Sequence, residues 1–187
     1  MKRWIVALVV VCLLAGGVYL YYVMSDQEVE QITYVEAGIE ELYAGNFTEA
    51  IALFETAISE QQEVDEAWRG IGLARFRLQD FAGASEALQA ALDAEAEETP
   101  IIYNLLGISA MKRRDYSEAI RLFEQGILVD DGTETYATVV QEMRFNLIVC
   151  YERLLDWEMA RVKAQEYIAL YPDDEAARKA AEFLETR

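Results

Sequence analysis

The chain has 187 residues, 53% of them hydrophobic, and carries 34 acidic side chains against 16 basic ones, a formal charge of −18, with no histidine. That length holds one compact domain plus a short additional segment, not two large domains. The acidic excess excludes a phosphate-backbone partner, so no nucleic acid is expected, and the lack of histidine removes the commonest general base and metal ligand.

The first element is an apolar run. From Trp4 to Met24 no residue is charged, and as a helix these 21 residues would reach about 31 Å, enough for a hydrocarbon core of about 30 Å. Trp4 at one end and Tyr19, Tyr21 and Tyr22 at the other suit the two water–lipid boundaries. The run predicts one transmembrane helix over 4–24, a signal anchor. Lys2 and Arg3 precede it and Asp26, Glu28 and Glu30 follow, which keeps residues 1–3 in the cytoplasm and the remainder outside, as a single-pass cell membrane protein. The alternative is a signal peptide, cut at Asp26 after Val23 and Ser25, leaving a secreted protein; its apolar core would exceed the usual ~7–15 residues. Cys12 follows three valines rather than a small residue, which disfavours a lipidated cysteine, and Cys12 and Cys150 make neither a metal pair nor an internal disulfide.

Residues 26–30 contain no glycine or proline, so the anchor is expected to pass into the first helix without a flexible linker. Beyond it, two prolines, ten glycines and abundant Ala, Leu and Glu predict an all-α domain over 26–187. Its organisation is visible in a small residue that recurs on every second helix, Ala50, Ala84, Ala119 and Ala160, at separations of 34, 35 and 41. The pairs fall at about 31–64, 65–98, 100–133 and 141–174. In the first, Gly45 marks the end of a helix, where a left-handed residue is often needed. The second carries Trp68, Ile71, Gly72, Phe81, Leu88 and Ala91. In the third, Pro100 suits the first helical turn, Gly107 and Ala119 allow close approach, and Leu106, Tyr116 and Phe123 fill the space between. Gly126 stands where an alanine is usual. The fourth is the most altered, with Ile148 in place of a small residue and the order Ala164, Tyr167 reversed; it is expected to pack differently, with its first helix starting near Thr133 after the loop signal Asp130-Asp131-Gly132. Residues 173–187, with Ala176, Ala177, Ala180, Phe183 and Leu184 at helical spacing, predict a terminal capping helix.

Tyr103-x2-Leu106-Gly107 followed by Ala119-x3-Phe123 resembles the tetratricopeptide repeat, whose pattern is W-x2-L-G-x2-Y, then A-x3-F, then P, over about 34 residues. The resemblance covers about 31–187 and departs from the pattern at Arg75, where tyrosine is usual. It implies a right-handed helical solenoid of about four helix pairs plus the cap, with the first helices lining a concave groove that takes a partner protein or peptide, and with no catalytic residues or cofactor of its own. Carried over position by position, the groove would be Ile32, Val35, Glu36, Ile39 and Leu42 in the first repeat and Glu66, Arg69, Gly70, Leu73 and Phe76 in the second. The third would give Ile101, Asn104, Leu105, Ile108 and Met111, and the fourth Glu142, Phe145, Asn146, Val149 and Glu152. Val35 and Ile39 stand where the carboxylate-gripping variant of the family has Lys and Asn, which disfavours that ligand. One position further along, Arg77, Lys112 and Arg153 recur, either as partner contacts or as cations complementing helix C-termini.

Other signals have plain readings. Lys112-Arg113-Arg114 is followed at once by Asp115 and Glu118. Asp130-Asp131-Gly132 is similar to a calcium loop but lacks its acidic spacing, and predicts a turn. Asp93–Glu98 is an acidic cluster expected on a solvated face, and Ser59, Ser85, Ser109 and Ser117 have neither histidine partner nor glycine elbow. The expected function is therefore not enzymatic: a membrane-anchored adaptor or scaffold that holds a partner in the groove, or a permanent architectural subunit of an envelope complex. The sequence does not fix the oligomeric state.

Overall fold

The computed structural model describes residues 5–14, 17–26 and 32–186, in two units, Met1–Thr33 and Tyr34–Arg187. In the first unit, β1 (Ile5–Leu14) and β2 (Gly17–Asp26) pair antiparallel, with Leu14 opposite Gly17 and Ile5 opposite Asp26. This differs from the single helix expected over 4–24, and among the described residues no helix is long and apolar enough to cross a membrane. The residue types explain the difference: runs of Val, Ile and Tyr favour the pleated backbone, and two runs of 10 residues pair along their facing edges. Lys2, Arg3 and Trp4, on which the orientation and the start of the span rest, lie outside the described residues, as do residues 27–31, including Gln31 at the expected start of the first repeat.

The second unit is an all-α solenoid. Among the described residues it contains nine helices: α1 (Tyr34–Ala44), α2 (Phe47–Ser59), α3 (Val64–Arg77), α4 (Phe81–Asp93), α5 (Pro100–Lys112), α6 (Tyr116–Leu128), α7 (Ala137–Arg153), α8 (Trp157–Leu170) and α9 (Glu175–Leu184). They form four antiparallel pairs and a final helix against α8. The four register alanines, Ala50, Ala84, Ala119 and Ala160, are fully buried. Opposite them the glycines are notches for large side chains. A Cβ on Gly107 would lie 2.6 Å from Cδ1 of Phe123, one on Gly72 2.6 Å from Cγ of Leu88, and one on Gly38 2.7 Å from Cε1 of Phe54. Phe54 also fills the notch at Gly70, so one ring joins the first pair to the second.

The turn between the two helices of each pair uses one device four times. The first helix ends on a left-handed residue, Gly45 (φ +84°), Gln79 (+63°), Arg114 (+65°) or Leu155 (+60°). The next N–H then reaches back past the last turn: Asp80 N–H to the Arg75 carbonyl (2.9 Å), Asp115 N–H to Ala110 (2.9 Å) and Asp156 N–H to Tyr151 (3.0 Å). This is the Schellman closure of a helix C-terminus. The same aspartates then cap the following helix, their carboxylates accepting from Gly83, Glu118 and Met159 N–H. Only the first copy places a glycine at the left-handed site.

Two boundaries differ from expectation. α1 begins at Tyr34, so Ile32 precedes it. α7 begins at Ala137 rather than near Thr133, because residues 133–136 close as turns, with Tyr136 N–H on the Thr133 carbonyl and Ala137 N–H on Glu134 (both 3.3 Å). At 17 residues α7 is nonetheless the longest helix described. The fourth pair does pack differently. The Tyr167 hydroxyl donates to Asp174 Oδ2 (2.7 Å) and accepts from Gln141 Nε2 (2.9 Å), and Asp174 Oδ1 takes the Ala177 N–H that starts α9. The large residue after Ala164 therefore ties the cap to α7, with Ile148 and Leu184 buried in the same cluster.

Candidate functional site

Successive first helices touch one another, α1 on α3, α3 on α5 and α5 on α7, whereas α2, α4, α6 and α8 form no comparable row. Rows of helices that are closer on one side curve toward that side, so the first helices make the concave face. It carries most of the residues expected to bind a partner.

Asn104 is buried, 7% exposed, between α5 and α7, and its Nδ2 donates to Glu142 Oε2 at 2.9 Å. Among the described residues no donor reaches its buried Oδ1, a free-energy cost of about 1–3 kcal/mol for a polar atom removed from water. Arg69 turns to its own helix, with Nη1 2.6 Å from Glu66 Oε1. Leu73 is half-buried, and Ile108 and Met111 are half-buried against the central cluster around Leu106 and Phe123. Phe145 packs edge-on to Tyr167, with ring centroids 5.8 Å apart, and so serves the last pair as well as the face. Asn146 beside it is half-buried. Two other carried-over positions belong to the interior: Val35 is buried and Gly70 lies under the Phe54 ring.

Phe76, Arg77 and Lys112 separate from this face. They come together at the edge where first helices end and second helices begin, lining a cleft of about 330 Å³ with Gln79 and Phe81. Phe76 meets Phe81 edge-on, with centroids 5.6 Å apart and planes at 77°. Arg77 and Lys112 are exposed, and among the described residues neither has an ion-pair partner, whereas Arg69, Arg121, Lys163 and Lys179 each have one. Sequence reasoning missed Gln79 and Phe81 as lining. The signal that finds them is the recurring turn, a left-handed residue, then Asn or Asp, then an aromatic residue: Gly45-Asn46-Phe47, Gln79-Asp80-Phe81, Arg114-Asp115-Tyr116 and Leu155-Asp156-Trp157.

Elsewhere, a recess of about 440 Å³ between α4 and α6 has a mixed lining that includes Glu86, Asp93, Arg113 and Glu118. The Glu118 carboxyl is held below its ordinary value by two hydrogen bonds from Arg121, at 2.6 and 2.9 Å. In the turn at Asp130-Asp131-Gly132, Asp130 Oδ1 accepts from Gly132 N–H (3.2 Å) and Asp131 Oδ1 from Thr133 N–H (2.9 Å). One oxygen of each carboxylate is thus occupied in closing the turn. Burial pushes the Cys150 thiol up to about 12, so it is not a nucleophile at neutral pH. No group of three or more potential metal ligands occurs among the described residues.

Comparison with solved structures gives the same architecture. YrrB, described as "a TPR protein with an unusual peptide-binding site", shares 15% identity over 86% of this chain and 79% of its own, with a TM-score of 0.70. A MamA crystal structure shares 16% over 81% and 78%, with a TM-score of 0.69, and MamA from Desulfovibrio magneticus RS-1 shares 17% over 82% of each chain, with a TM-score of 0.67. No curated protein matches the chain. Identities this low speak for the fold alone. The tetratricopeptide repeat model matches residues 35–100 and 104–175, which takes in all four helix pairs, and the chain belongs to the tetratricopeptide repeat family.

Proposed function

We propose that the protein is a scaffold that holds an extended segment of a partner protein on the concave face of α3, α5 and α7. The observation that carries this reading is Asn104: a buried amide whose oxygen lacks a donor among the described residues, on a face that also carries half-buried Leu73, Ile108 and Met111. Such an amide costs stability where it stands, which points to a role outside folding. A small reorientation of the Asn104–Glu142 pair would offer that oxygen to a backbone N–H, while the aliphatic side chains take apolar anchors. The peptide-binding site described for YrrB supports the same class of ligand.

The test is selection of peptides on the full-length protein in non-ionic detergent, followed by affinity measurement with Asn104→Ala, Ile108→Glu and Asn146→Ala. Loss of at least about tenfold in affinity with the first two is expected. Selected peptides that bind all three variants as they bind the parent would move the site off this face.

The reading includes attachment to a membrane through the apolar run, with the repeats on the extracytoplasmic side. Its support is the 21 uncharged residues and the Lys2-Arg3 flank. An isolated strand pair in lipid would leave both outer edges unpaired, so the membrane-embedded form of this run is one helix. Resistance to carbonate extraction and digestion of the repeats by external protease are the expected results. A mature N-terminus at Asp26 would replace the anchor by a cleaved leader.

A further inference from the structure

The two edges of the solenoid differ in charge: one holds acids alone, the other a cluster of cations beside the capping aspartates Asp80, Asp115 and Asp156. Where second helices lead into the next first helix, the four connections span 60–63, 94–99, 129–136 and 171–174, and contain Glu60, Glu63, Glu95, Glu97, Glu98, Asp130, Asp131, Glu134, Asp173 and Asp174 without one basic residue. At the other edge stand Arg75, Arg77, Lys112, Arg113 and Arg114, around the cleft of Phe76 and Phe81. The acidic connection 129–136 is the longest, and it is preceded by Leu128, which is 76% exposed although it is a large apolar residue. Leu128-Val129-Asp130-Asp131 thus presents an apolar side chain followed by carboxylates. The cleft presents two aromatic rings flanked by two cations that have no ion-pair partner among the described residues.

We infer that the Phe76–Phe81 cleft of one copy receives the Leu128–Asp131 turn of a second copy. The same chain cannot make this contact: Lys112 lies just before α6 and Leu128 at its far end, and the 13 residues of α6 hold the two about 20 Å apart. The contact is therefore made between copies, and where each copy offers its cleft to one neighbour and its turn to another it is head to tail and extends into rows. A second copy is the occupant that the charges favour. Among the described residues Arg77 and Lys112 have no ion-pair partner, and the complementary acidic edge is present on every copy. Leu128 packs on the paired rings, and the Oδ2 atoms of Asp130 and Asp131 meet Arg77 and Lys112. The site differs from the concave face, which stays open for the partner segment.

The test uses two full-length variants in non-ionic detergent, Arg77→Glu/Lys112→Glu and Asp130→Lys/Asp131→Lys, and reads co-purification of differently tagged copies together with mass by light scattering. The parent is expected to self-associate at low salt, about tenfold more weakly when ionic strength rises from 0.05 to 0.5 M. Each variant alone should fail to form rows, whereas the mixture should associate again, since the exchanged charges are opposite across the contacts between unlike copies. Association in the mixture also shows that both variants are folded. Leu128→Ser should weaken the parent association at unchanged charge. A parent that is monomeric at low salt, a mixture that does not associate, or association that persists in either variant alone would overturn the inference.

Discussion

Gly107→Ala isolates the closest contact in the third helix pair. A Cβ there would lie 2.6 Å from Cδ1 and 2.8 Å from Cζ of Phe123, and that ring is fully buried, so it has nowhere to retreat without moving α6. Overpacking of this kind costs about 1–3 kcal/mol. Replacing a mid-helix glycine by alanine returns about 1 kcal/mol of backbone propensity, which leaves a net loss of about 0–2 kcal/mol. With an m-value of about 2 kcal/mol/M, the urea midpoint followed by far-ultraviolet circular dichroism should fall by up to about 1 M. The sharper measurement is a cycle with Phe123→Leu. Shortening the side chain clears the space over residue 107, so in that background Gly107→Ala should become neutral or stabilising, a coupling of about 1–3 kcal/mol. If Gly107→Ala costs the same in the parent as in the Phe123→Leu background, the glycine is not there to admit the ring and the packing argument fails.

Three further outcomes are expected. Ala119→Leu, at a fully buried position, should cost ~1–3 kcal/mol or more, and exposed Glu97→Ala should stay within about 0.5 kcal/mol in the same denaturation assay; equal effects would contradict the register. Leu155→Gly relieves a left-handed backbone that costs a side chain about 1–2 kcal/mol, partly offset by about 0.5–1 kcal/mol for glycine's greater freedom when unfolded, so its melting temperature should rise slightly while that of Gly45→Leu falls. The Asp174 carboxyl is held below its ordinary value by the Ala177 N–H and then by the Tyr167 hydroxyl; because the folded value is the depressed one, its contribution is present above about pH 4 and lost as pH falls further. Asp174→Asn should therefore melt lower than the parent at pH 7 and lose less on acidification to pH 3, and parallel pH profiles would count against this role.

Much of the solenoid was legible because its packing repeats. Ala50, Ala84, Ala119 and Ala160 are chemically constrained at each crossing, and a constraint that recurs is visible even where single positions vary. Pro100 at the start of α5 and Gly45 at the end of α1 were legible for the same reason, since each residue is rare elsewhere and has a definite backbone use. The start of α7 was not, because Thr133–Tyr136 has helical composition and only the hydrogen bonds to Thr133 and Glu134 show turns. The first unit was ambiguous by nature: a run of Val, Leu and Tyr satisfies the periodicity of a spanning helix and the propensity of a strand alike. Among the expected partner residues, sequence position placed Asn104, Ile108 and Met111 on the concave face. It did not reveal that Phe76, Arg77 and Lys112 leave that face for an edge cleft, because this follows from where α3 and α5 stop. Nor did it reveal the interior role of Phe145, which depends on Tyr167 from α8.

The contacts of the second unit are almost all between neighbours in the row, and α9 packs chiefly on α8, of the last pair. A chain joined in this way loosens like a zip, from an end inward, with each pair released before the next is strained. Amide exchange would then be graded along the molecule, fast in α9 and slow in α5 and α6, whose helices are enclosed by the largest buried cluster. A segment lying across α3, α5 and α7 bridges three successive pairs, and so splints the one direction in which this architecture gives way.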